Sequence, residues 1–151
     1  MAAPTSKTVV LDACGKLCYH CPMKKRGRII PNGVVLETHE NATVVFLADQ
    51  GYDIELIPPV LTPNSKNADF IMDGIVWEMK SPLGKSVKTL EHLFIKATKQ
   101  SENIVLDLRR MQKKDITKNM NVIRRLYRQT RSVRRLLVIN KEGKLLTYFK
   151  K

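Results

Sequence analysis

Three side chains of this sequence could do chemistry together: Asp69, Glu78 and Lys80. Glu78 and Lys80 lie two residues apart in an otherwise apolar run, Ile75-Val-Trp-Glu-Met-Lys80. Side chains alternate along a strand, so both share a face with Val76 while Ile75, Trp77 and Met79 point the other way. Asp73-Gly74 is a strong two-residue hairpin signal, and such a hairpin brings Asp69 alongside the pair. Isolated charges on a central strand cost several kcal/mol of desolvation unless paired or metal-bound. The chemistry that uses this set is phosphodiester hydrolysis. Two carboxylates can hold Mg²⁺ or Mn²⁺, which polarises the phosphoryl group and activates a water. The lysine orients that water or stabilises transition-state charge. The plain structural alternative is a Glu–Lys pair on the solvated face of a hairpin, the commoner meaning of a lone E-x-K.

The elements around the hairpin add polar residues on inward faces. A helix over 37–50, with Thr38 as N-cap and Gly51 as its left-handed stop, puts Glu40 on or beside the Val44/Leu47 stripe. A second helix, capped by Ser86 and running to about Gln100, carries Leu90, Leu93, Phe94 and Ala97 at helical period, and Gln100 extends that stripe. Strands are expected at 52–57, 68–72, 75–79 and 104–108. A third helix should span 117 to about 130, followed by a hairpin of 135–139 and 145–149. The order is α-β-β-β-α-β and then α-β-β, a mixed α/β domain. Residues 1–33 read as irregular. The division expected is an N-terminal arm, 1–35, and one domain, 36–151.

The α-β-β-β-α-β order with this set of residues resembles the PD-(D/E)XK nuclease superfamily, whose core is restriction-endonuclease-like with a mixed central sheet. The resemblance implies that Glu40, Asp69 and Glu78 bind the metal, that Lys80 assists the attacking water and that Gln100 positions water or a ligand. Ala68 stands where the motif has proline. The pattern Asn67-Ala-Asp-Phe70, Gly74-Ile-Val-Trp-Glu-Met-Lys-Ser-Pro82, Lys99-Gln-Ser101 and Asn103-Ile-Val-Leu-Asp-Leu-Arg-Arg110 is more closely similar to small nuclease domains. These occur at the C-termini of contact-dependent growth-inhibition effectors and in phage or mobile-element proteins. That similarity implies a toxin acting inside a target cell, on DNA or tRNA, with an acidic immunity protein as partner; many superfamily members also dimerise. Two other readings stay open. One is a metal-independent tRNase toxin of the barnase/EndoU/colicin/RelE type, and the other a non-catalytic nucleic-acid-binding module.

Charge points to the same class of partner. The chain has 151 residues, Lys+Arg 27 against Asp+Glu 14, and a formal net charge of +13, which favours a polyanion. Eleven basic residues and one acid fall in residues 109–135, which therefore carry 11 − 1 = +10 of it. Arg109, Arg110, Arg124, Arg125, Arg128 and Arg131 are the candidate nucleic-acid contacts, with Arg124, Arg128 and Arg131 forming a ridge of bidentate phosphate donors. Cys14, Cys18, His20 and Cys21 cluster within eight residues. They read as free thiols in the arm, with a cramped structural Zn²⁺ knuckle as the lesser alternative. No apolar run reaches membrane-span length and no secretory h-region opens the chain. The expectation is a cytoplasmic protein with no membrane partner.

Overall fold

The computed structural model describes residues 25–63, 67–84 and 86–151 in full and the backbone alone of 9–11 and 17–19. Its centre is a seven-stranded mixed sheet of β3 (Ile29–Ile30), β4 (Ile54–Leu56), β5 (Phe70–Met72), β6 (Ile75–Lys80), β7 (Asn103–Asp107), β8 (Arg135–Ile139) and β9 (Leu145–Phe149). The spatial order of these strands is their order in the chain. β6, β7 and β8 run parallel, while β4–β5, β5–β6 and β8–β9 are antiparallel. A separate antiparallel pair joins β1 (Val9–Leu11) to β2 (Leu17–Tyr19). The expected core order is observed: α1 (Thr38–Asp49), three strands, α2 (Val87–Thr98), β7, then α3 (Ile116–Gln129) and the last two strands.

Local chemistry accounts for the element ends. Asp73 and Gly74 both take positive φ, 51° and 77°, as a tight hairpin turn of this kind requires. Ser86 caps α2, its Oγ accepting from the Lys88 N–H at 3.2 Å. The N-cap of α1 is Glu37 rather than Thr38. Glu37 and Glu40 close a reciprocal capping box, in which Glu40 Oε2 accepts from the Glu37 N–H at 3.0 Å.

The sheet separates two apolar layers, and strand alternation decides which residue enters which. Ile104, Leu106, Leu136 and Val138 pack with Leu90 and Phe94 of α2 and Ile123 and Tyr127 of α3. Phe70, Met72, Trp77, Met79, Val105 and Leu137 pack with Val44 and Leu47 of α1 on the other side. α1 and α2 therefore lie on opposite faces.

Three strands, β1, β2 and β3, fall within residues 1–33, which the sequence reading gives as irregular, and β3 is the one that joins the large sheet. β3 is two residues long and pairs parallel with β4. It is fastened by Gly27, whose N–H donates to the Ala48 carbonyl at 2.8 Å, and by Asp53, which accepts from the Arg28 N–H at 2.7 Å. Residues 27–30 thus join the sheet, ahead of the expected boundary at 35/36. Of the cysteine cluster, Cys14, His20 and Cys21 lie outside the described residues, and Cys18 is described only as backbone within β2.

Candidate active site

β6 pairs with β7 so that Glu78 faces Ile104 across the ladder and Lys80 faces Leu106. Partners in a parallel pair share a face, so Glu78 and Lys80 stand on the α2/α3 side. β5 pairs Phe70 with Trp77, which sets Asp69, one position on, beside Glu78. Asp69 is half-buried, and its Oδ2 accepts from the Met79 N–H at 2.7 Å. Glu78 is fully buried. Lys80 reaches back to bond Glu78 Oε1.

The electrostatics of the trio are frustrated. Burial, and then the neighbouring Asp69 charge, push the Glu78 carboxyl up to about 7, against the opposing pull of Lys80. Asp69 is also raised, chiefly by burial, with the Glu40 charge adding to the effect. Two like charges this close disfavour full ionisation of the pair. Glu78 Oε2 is buried with no hydrogen-bond partner, and so is Gln100 Oε1. Buried acceptors without a donor are uncommon in folded proteins. Here, two adjacent carboxyls with a donor-less oxygen fit a divalent cation, because Mg²⁺ binds through one or two carboxylates and takes its remaining ligands from water and phosphate.

The other expected site residues divide. Gln100, at the end of the α2 segment, comes to the site: its Nε2 donates to the Asn67 carbonyl at 3.3 Å, two residues before Asp69. Glu40 lies on α1, on the far side of the sheet from Asp69. Its charge is felt there, but the carboxylate is engaged in the helix cap. Among the described residues no three His, Cys, Asp or Glu side chains gather closely enough to hold a metal ion. The three-carboxylate cluster expected from Glu40, Asp69 and Glu78 is thus not assembled; the structure brings two of them together.

Arg109 is committed elsewhere. Its guanidinium bonds both Asp107 oxygens and the Ala42 carbonyl, and it stacks 4.9 Å over the Phe46 ring. Buried Asp107 also accepts from Thr43 Oγ1 at 2.7 Å. Burial pushes the Asp107 carboxyl up, but the Arg109 and Thr43 bonds outweigh it and hold it below its ordinary value. This clamp fixes the first turns of α1, and hence Glu40, to the end of β7. Its signal in the sequence was the lone acid that ends Ile-Val-Leu-Asp and precedes a basic pair. Arg110 donates to the Ser81 carbonyl at 3.2 Å, directly after β6. Arg125 pairs with Glu91 of α2. Arg124, Arg128 and Arg131 are exposed and make no ion pair among the described residues.

A mixed sheet in this order, flanked by helices and carrying a buried carboxyl, a half-buried one and a lysine toward the end of a central strand, defines a compact α/β domain with a cluster of ionisable groups at its centre. The family model for the contact-dependent growth inhibition CdiA C-terminal domain matches residues 66–145, and the chain belongs to that family of toxin domains. Its fold is similar to the CdiA-CT/CdiI toxin and immunity complex from Burkholderia pseudomallei, with a TM-score of 0.57 and 20% identity, covering 82% of this chain and 100% of that one. No curated protein matches the sequence. Among the described residues no helix is long and apolar enough to cross a membrane.

Proposed function

We propose that this toxin domain is a nuclease of the PD-(D/E)XK type that hydrolyses phosphodiester bonds in DNA or RNA with Mg²⁺ or Mn²⁺. One observation carries the reading: Glu78 is fully buried beside Asp69 and Lys80, with an oxygen that no donor reaches. Asp69 and Glu78 would hold the cation, with Gln100 Oε1 facing an outer ligand. The cation supplies charge neutralisation at the phosphoryl group and a more acidic water. The chain's own residues do the rest. The Met79 N–H fixes the Asp69 carboxylate. Lys80, which bonds Glu78 Oε1 at the end of β6, would set its ammonium against the attacking water or the developing negative charge. Arg110, anchored on the Ser81 carbonyl, puts a second cation after the catalytic strand.

A second reading has its own support. A carboxyl near pKa 7 suits general acid–base catalysis at neutral pH, so Glu78 with Lys80 could cleave RNA without metal. Cleavage of plasmid, single-stranded DNA and tRNA, with and without EDTA, separates the two. Loss of cutting in EDTA supports the metal mechanism, and persistence in EDTA transfers the chemistry to the Glu78–Lys80 acid–base pair. Binding without cleavage of any substrate leaves the domain a nucleic-acid-binding module. The charge of +13 also suits an acidic immunity partner, the kind of pairing that the similar Burkholderia structure is named for. Lys80→Ala should lower turnover by at least about 100-fold while leaving nucleic-acid affinity unchanged in a binding assay.

A further inference from the structure

The two ends of α3 lie at opposite edges of the sheet, which decides where substrate meets its positive charge. β6, β7 and β8 are parallel, and Lys80 closes β6 at their C-terminal edge. At that edge the loops after β6 and β7 are joined by a bridge between Gly84 and Met111. The chain then makes a single 3₁₀ turn, Lys113–Asp115, and enters α3. The far end of α3 leads to Arg135, which pairs with Asn103 at the start of β7. Arg128 and Arg131 of the arginine ridge therefore sit toward the edge remote from Lys80, with Arg124 level with Arg125 further back along the helix. From Lys114, Arg131 is 17 residues on, roughly 25 Å at the helical rise.

The stretch of α3 up to Arg125 carries a different feature. A shallow groove of about 560 Å³ is lined by Lys114, Thr117, Lys118, Asn121, Val122 and Arg125. It offers three cations and two neutral side chains that hydrogen-bond phosphate oxygens. Glu91 braces the Arg125 guanidinium, so less side-chain entropy is lost when its remaining N–H groups bind. We infer that the nucleic-acid backbone leaves the catalytic centre past Arg110 and lies in this groove, with phosphates on Lys114, Lys118 and Arg125, and not along the distal arginine ridge. The assignment of nucleic acid as occupant rests on the nuclease reading and on charge complementarity. The groove runs from Lys114 to Arg125, roughly 16 Å at the helical rise, and accommodates two or three successive phosphates of one strand.

Binding measured in EDTA by fluorescence anisotropy, with labelled tRNA and a labelled 20-nucleotide DNA strand, tests this independently of cleavage. Lys114→Glu/Lys118→Glu should weaken affinity at least about tenfold. The slope of log K against log salt should fall by about 1.4, two phosphates at ~0.7 each for a single strand. Arg128→Glu/Arg131→Glu should change affinity less than about threefold. The inference is overturned if the distal pair loses as much as the groove pair, or if the groove pair binds like the parent; the latter result would leave the groove to an acidic protein partner. Lys114→Gln/Lys118→Gln, which only neutralises, serves where charge reversal impairs folding. A parent that binds as expected yet cuts nothing would end the nuclease reading and leave the groove assignment standing.

Discussion

At the scale of single residues, the centre stores electrostatic cost in Glu78. An acid whose folded value is raised, here from 4.5 to about 7, binds its proton more tightly folded than unfolded. Its stabilising contribution is complete below about pH 4.5 and is lost as pH rises through 7. The loss is on the order of 3 kcal/mol for a shift of this size. Glu78→Gln keeps the shape and removes the titration. Its stability relative to the parent, from denaturant melts, should climb between pH 4.5 and 7 by up to about that amount and stay level above. A difference that is flat with pH would show that Glu78 titrates normally. Asp69→Asn should relieve the same repulsion and bring the Glu78 titration down, visible as a shifted midpoint in that comparison.

At the scale of elements, fastenings away from the centre decide its shape. Thr43→Val removes a buried bond to Asp107 and should cost about 1–2 kcal/mol in thermal or chemical denaturation. Gly27→Ala should be worse than its size suggests, since an added Cβ would fall 1.9 Å from the Tyr52 carbonyl oxygen. The expected loss is about 1–3 kcal/mol, with β3 amides the first to lose protection in hydrogen exchange. Much of this architecture was legible in the sequence. The hairpin turn, the α2 cap and the alternation that puts Glu78 and Lys80 on one face are local, and local rules place them. β3 was hidden because two residues carry no periodicity and because their pairing with β4 is made across α1. The Glu40 expectation failed to gather three carboxylates for a related reason. Helical period says which side of a helix is inward, but not which face of the sheet it meets. Arg109 looked like surface charge because its partners, Asp107, Ala42 and Phe46, are distributed over two elements.

For the whole molecule, a cation in the centre should act as a ligand of the folded state. Binding requires both carboxyls ionised, so Mn²⁺ or Mg²⁺ competes with protons there. Millimolar Mn²⁺ should raise the melting temperature at pH 8 and do much less at pH 5.5, where Glu78 keeps its proton. Loss of that pH contrast in Glu78→Gln would place the ion at the centre; an equal shift in parent and variant would place it elsewhere. The sheet's order has a mechanical consequence. Because β3 to β9 stand side by side in chain order, the first and last strands are the two outer ones, and no strand is threaded between others. Tension on the chain ends therefore loads the ladders one at a time, from the rims inward. The domain should yield to pulling as a zipper yields, in small steps at modest force, rather than resisting as a lock does. β6, with Glu78 and Lys80, is the middle strand of the seven and would be among the last to come apart.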